Sequence, residues 1–101
     1  MFVNVIESYR TVVAIADKEL VGKLFTEGVK QLDVKESFYK SENELPISEK
    51  EVKELMKRFK SEDATFNIVG ENAVRCALEA GIATENSVKK IDEIPYVLIL
   101  L

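Results

Sequence analysis

The chain predicts an α+β domain, a mixed, mostly antiparallel sheet of about five strands with three helices packed on it. Three observations carry that expectation. β-branched and aromatic runs stand at both ends of the chain, at residues 2–7, 11–16 and 96–101, and such residues suit the pleated, half-buried surface of a strand. Residues 48–60 hold an amphipathic helix with its own cap. Residues 66–82, FNIVGENAVRCALEAGI, read as strand end, glycine turn and capped helix in succession.

At the amino terminus Phe2, Val3, Val5 and Ile6 are strand formers and TVVAIA at residues 11–16 is a second run, with Ser8, Tyr9 and Arg10 connecting them, so the pair reads as a hairpin. Asp17 then offers an N-cap for a short helix over residues 17–25, with Leu20, Val21 and Leu24 apolar and Gly22 limiting its length. Gly28 closes it. Residues 29–34 form a third strand whose Val29, Leu32 and Val34 alternate imperfectly, which suits a bulged or edge position.

Charge density rises over residues 35–63, where seven cations face eight anions, so this segment is a solvated face rather than a polybasic arm. Within it Ser48 and Glu51 form a capping box, and Ile47 is placed to staple against Val52. Val52, Leu55, Met56 and Phe59 fall at i, i+3, i+4 and i+7, which buries Leu55 and Phe59 on one stripe. Glu49 with Lys53 and Glu54 with Arg58 are spaced for pairing along the helix. Pro46 prevents backward extension.

In the helix over residues 71–80, Ala73, Val74, Ala77, Leu78 and Gly81 share a face built of small side chains, able to lie close against a sheet. Gly70 stands at its N-cap with Glu71 and Asn72 in the first turn. Gly81 can take the left-handed conformation and Ile82 can touch Ala77 or Cys76, as in a Schellman cap. A turn follows at 83–87, a short strand at 88–91, and a second turn at 92–95. The closing run YVLILL lacks polar alternation, which implies a strand covered on both faces or one at a subunit interface.

A length of 101 residues suits one domain, 1–101. The net charge of −4 argues against a general nucleic-acid coat. One cysteine, no basic leader and no apolar run long enough for a bilayer point to a cytoplasmic chain. A charge excess carried by Lys and Glu, with no Trp, leans toward a hot environment.

Histidine is absent, which removes the usual general base near neutral pH and the commonest zinc ligand. One cysteine makes no structural zinc site. The four glycines form neither a phosphate loop nor a dinucleotide fingerprint. No cofactor and no metal are expected. Cys76 reads as a small inert core residue. The candidate binding residues are Phe38, Tyr39 and Lys40, where paired aromatics beside Lys35 and Lys40 in a loop are able to stack on bases, and Asn67, Gly70 and Glu71, where free amides at a helix start are able to hold an anion. The plainer alternatives are that one ring tucks into the core while the other snorkels, and that the helix start is simply capped. Folding asks little of a loop tyrosine or a turn asparagine, so Tyr39 and Asn67 are expected to be exchangeable.

Asn67, Val69, Gly70, Glu71, Ala73, Val74, Ala80 and Gly81, with Phe38 and Tyr39 upstream and Leu20, Gly22 and Lys23 further back, resemble an archaeal family described as domain of unknown function 424. The likeness covers nearly the whole chain. Glycines often follow the Phe-Tyr pair in that family, whereas Lys40 and Ser41 stand here. The resemblance implies an archaeal, intracellular protein and brings no activity with it. The VGENAV run also looks like the second half of a helix-hairpin-helix, but Ile68 stands where that motif needs a glycine, so DNA is not expected.

Together these features lead to the expectation of a non-enzymatic binding module, in the context of archaeal translation or another RNA-containing assembly, with a protein or ribonucleoprotein as partner. The competing readings are a small carboxylate-dependent enzyme and a regulatory subunit acting as a dimer or with a protein partner.

Overall fold

A computed structural model describes residues 1–41 and 44–100 of the chain; Leu101, the last residue of the expected terminal strand, lies outside them. The amino-terminal runs form the expected hairpin, with β1 (Phe2–Ile6) antiparallel to β2 (Val12–Ala16) and Phe2 opposite Ala16. β2 then pairs in parallel with β5 (Thr65–Val69), Val12 opposite Thr65, and β5 pairs antiparallel with β7 (Ile94–Ile99). The short β6 (Lys89–Ile91) closes the sheet, whose order is β1-β2-β5-β7-β6. The sheet is thus mixed and mostly antiparallel. The β6–β7 turn places both Asp92 and Glu93 at positive φ, 51° and 66°, as the two central residues of a type I′ hairpin require.

Residues 17–25 are not the expected helix. A 3-10 turn at Lys18–Leu20 leads instead into β3 (Leu24–Glu27), which pairs with β4 (Lys30–Asp33) as a separate two-stranded sheet. Two causes act here. The Asp17 carboxylate, needed to start such a helix, is spent on another one, and Gly22, at φ 91°, turns the chain so that its amide donates to Val34 O at 2.7 Å. Residues 29–34 therefore do not join the main sheet. The first α-helix is a single turn, α1 (Glu36–Tyr39), so the three helices are α1, α2 (Glu49–Ser61) and α3 (Glu71–Glu79).

Alternation along the strands divides the sheet into two faces. Val3, Val13, Ile15, Phe66, Ile68 and Val97 form one buried face against α2 and α3. Ala14, Ala16 and Val69 form the other, beneath Val34, Tyr39 and half-buried residues of the β3–β4 hairpin such as Phe25 and Leu32. β7 is interior to the sheet as expected, but it is not covered on both faces: Pro95 and Val97 are buried while Leu98 is 51% exposed on the second face.

α2 carries the expected capping box: Glu51 N donates to Ser48 Oγ at 3.2 Å, and the Glu51 carboxylate accepts from the Ser48 amide. Its stripe is rotated slightly from expectation. Val52, Met56 and Phe59 are buried while Leu55 is half-buried. The expected pairs along the helix give way to pairs across it, Glu49 with Arg75 and Lys53 with Glu79 at 3.1 Å, because α3 lies alongside. α3 ends in a Schellman cap, with Ile82 N donating to Ala77 O and Gly81 N to Leu78 O, both at 3.1 Å, and Gly81 at φ 77°. Cys76 is buried, and burial pushes its thiol pKa up.

Met56→Ala removes a side chain with no exposure and is expected to cost about 2–5 kcal/mol in a urea titration. Leu55→Ala is expected to cost less, about 1–2 kcal/mol, because part of that side chain is already in water. The reverse order would place the helix stripe one position away from where it is described.

Candidate functional site

Of the two readings of the start of α3, an anion site or a capped helix end, the structure shows the cap. Asp17 is 3% exposed, and its carboxylate accepts from Ala73 N at 2.8 Å and Asn72 N at 3.0 Å. The side chain that caps the helix thus comes from Asp17, while Gly70 stands at the N-cap position as expected. A Cβ on it would stand 2.4 Å from Asp17 Cγ, and its φ is 110°, so both space and conformation demand glycine there. Glu71 is exposed on the first turn of α3. The hollow beside this helix start is lined by Asp17, Glu19 and Glu49 together with Lys18 and Met1, and the helix amides that an anion would need are already taken by Asp17.

Burial is the largest influence on Asp17 and raises its pKa from 3.8, against the pull of the two amides. The folded protein then holds the proton more tightly than the unfolded chain, so this group's contribution is fullest below its unfolded pKa and is lost as pH rises through the raised folded value. The stability of the wild type relative to Asp17→Asn is expected to fall from pH 3 upward through the carboxylate range, measured by urea titrations at successive pH values. A flat difference would mean that Asp17 has the same proton affinity in both states.

Phe38 and Tyr39 lie on α1 and not in a loop. Their rings meet edge to face, 5.0 Å between centroids at 81°. Tyr39 is the ring that enters the core: it is buried with Ala14, Ala16, Val34 and Val69, and its pKa is pushed up to about 12, first by burial and then by the charge of Asp33. Phe38 is half-buried. Lys40 Nζ stands 5.0 Å from the centre of the Phe2 ring, a cation–π contact that ties it to β1. Asn67 is half-buried on the second sheet face, in a row that runs Asn4, Ala14, Asn67, Leu98 across four strands. Phe38 thus shares a sheet face with Asn67, while Gly70 and Glu71 lie beyond the end of β5 beside α3. Tyr39→Ala is expected to cost about 3–5 kcal/mol in chemical denaturation; a loss under about 1 kcal/mol would remove Tyr39 from the core.

A broad concavity lies elsewhere, between the outer edge of β1 and α2. It is a groove of about 710 Å³ whose floor is Val3, Val5, Ile47 and Leu55. Glu51, Glu54 and Arg58 on α2 line its rim. At its other end Ser41 and Glu44 join Asn4, whose side-chain amide donates to Phe38 O at 2.9 Å, so α1 is anchored to the wall of this groove. Part of the β1 edge is covered. The amino terminus donates to Ile47 O at 3.1 Å, Ile47 N donates to Met1 O at 2.8 Å, and Val3 N donates to Glu44 Oε1 at 3.1 Å. Glu44 also accepts from Ser41 N at 3.2 Å and from the Ser41 hydroxyl. Since Val3 N points outward, antiparallel alternation aims the N–H and C=O of Val5 outward as well. Among the described residues no group meets them.

None of the expected site residues, Phe38, Tyr39, Lys40, Asn67, Gly70 and Glu71, lines this groove. Asn4, Val5, Glu44, Glu54 and Leu55 come together only because the chain between β2 and β5 returns α2 to the side of β1, and no local spacing announces that. Among the described residues no three His, Cys, Asp or Glu side chains are arranged to hold a metal, and no helix is long and apolar enough to cross a membrane.

Fold and groove define a small α+β protein with a broad open cleft along a sheet edge. The model of a family described as protein of unknown function (DUF424) matches residues 6–101, and the chain belongs to that family. A crystal structure of an uncharacterized conserved protein from the archaeon Methanopyrus kandleri superposes with a TM-score of 0.81 at 20% identity, covering 97% of this chain and 88% of that one. That likeness shows the fold. No curated protein matches the chain.

Proposed function

We propose that the protein is a non-enzymatic binding module of the cytoplasm that docks a protein partner in the groove between β1 and α2. The observation that supports this reading is the groove itself: an apolar floor of Val3, Val5, Ile47 and Leu55 beside a sheet edge, rimmed by carboxylates. Apolar floors bounded by polar rims are the usual anatomy of protein interfaces. A bound protein also fits the charge better than RNA, because Glu44, Glu51 and Glu54 outnumber Arg58 here and would repel phosphate. Any association with translation or another RNA-containing assembly then runs through a protein component. Asp17, Tyr39 and Cys76, whose proton affinity burial displaces, lie in packing sites outside the groove, which supports a structural role for them.

A photoreactive benzoylphenylalanine at position 54 tests the reading, with position 85, exposed and outside the groove, as the control. In native lysate, position 54 is expected to give one discrete protein adduct that survives nuclease and is lost on Leu55→Lys, while position 85 gives none. A nuclease-sensitive adduct, or equal labelling from both positions, overturns it.

A further inference from the structure

Resting on that reading of the groove, we propose that its occupant is an extended peptide segment that adds as a further strand at Val5 on the outer edge of β1, with an apolar side chain and a cationic one two residues apart. The first half of this edge already shows the mode. Ile47 exchanges two backbone hydrogen bonds with Met1, and the Glu44 carboxylate takes the Val3 amide, where a neighbouring strand would place a carbonyl. The next outward pair, on Val5, has no partner among the described residues, and an incoming strand satisfies both groups. Its side chains at i and i+2 fall on the same face, roughly 7 Å apart. One of them meets Ile47 and Leu55 and the other reaches the rim.

The rim selects a cation. Glu54 has no ion-pair partner among the described residues, whereas Arg58 is engaged by Glu62 at 3.5 Å and stacks on Phe59 at 5.0 Å. A second copy of this chain fits less well, since its net charge is −4. Its opposite sheet edge, β6, does carry Lys89 and Lys90, so self-association is one outcome that the experiment separates.

The probe is the capped heptapeptide acetyl-Thr-Val-Thr-Lys-Thr-Val-Thr-amide, titrated against the isotope-labelled protein by NMR. The amides of Val3, Val5, Glu54 and Leu55 are expected to shift at millimolar peptide. Binding should weaken about tenfold or more when glutamate replaces the peptide lysine or in the Glu54→Lys protein, and it should also weaken with added salt. N-methylation of alternate peptide residues, prepared in both registers, should abolish binding in one register and spare the other. Equal binding of both methylated registers overturns strand addition, and equal binding of the glutamate peptide overturns the cationic requirement. Absence of shifts at these residues, or dimerisation abolished by Lys90→Glu, overturns the peptide as occupant. A nuclease-resistant adduct from position 54 alongside such a failure would leave the docking reading standing, so the two fail separately.

Discussion

The carboxylate of Asp17, held 2.8 and 3.0 Å from the first free amides of α3, is the contact on which the architecture turns. It stands one residue past β2, and its own backbone amide donates to Val69 O at 3.0 Å, extending the parallel β2–β5 pairing to its last rung. One residue therefore ends one strand, registers it on a second strand from the other half of the chain and caps the helix that follows. Leaving a buried amide unmet costs on the order of 1–3 kcal/mol, so the buried Ala73 amide, with the Asn72 amide beside it, favours Asp17 in this place. Gly70 follows from the same contact, because the carboxylate occupies the space a Cβ would need.

The consequences spread to both faces of the sheet. With Asp17 committed to α3, the residues after it have no cap for a helix of their own, and they become a 3-10 turn and the β3–β4 hairpin that covers part of the second face. With α3 fixed at the end of β5, its buried row of Ala73, Val74, Cys76 and Ala77 meets the first face, and α2 packs beside it. The ion pairs between those helices are half-exposed and contribute little, roughly 0–1 kcal/mol each. Their effect is to favour one alignment of two helices already brought together by apolar burial.

That alignment creates the groove. α2 covers Val3 and its neighbours in the core but leaves an opening toward the edge of β1, where Leu55, packed against the core on one side, also lines the groove. An uncovered strand edge is a hazard for unspecific pairing, and proteins commonly guard it with charge. Here Glu44 covers the Val3 amide and Glu51 and Glu54 line the approach. The same carboxylates that discourage pairing with a neutral or acidic strand make the groove selective.

Elements governed by neighbours in the chain were legible in the sequence. The β1–β2 hairpin, the capping box of Ser48 and Glu51 and the Schellman turn at Gly81 all depend on groups a few residues apart, and all stand where spacing placed them. The α+β class and the mixed sheet follow from the same local signals. What the sequence could not show is where a side chain is spent when its partner lies far along the chain. Asp17 reads as the cap of residues 17–25 because that is the nearest helix start, yet Asn72 and Ala73, more than fifty residues later, offer the free helix amides it satisfies instead. Tyr39 reads as a loop aromatic until Val34, Ala14 and Val69 close around it, and Glu54 and Leu55 read as ordinary helix residues until the edge of β1 arrives beside them. Local hydrogen bonding and periodicity determined the elements, and only tertiary packing, which brings β1, α2 and the start of α3 into one place, decided which of their groups are buried, which are capped and which face an open groove.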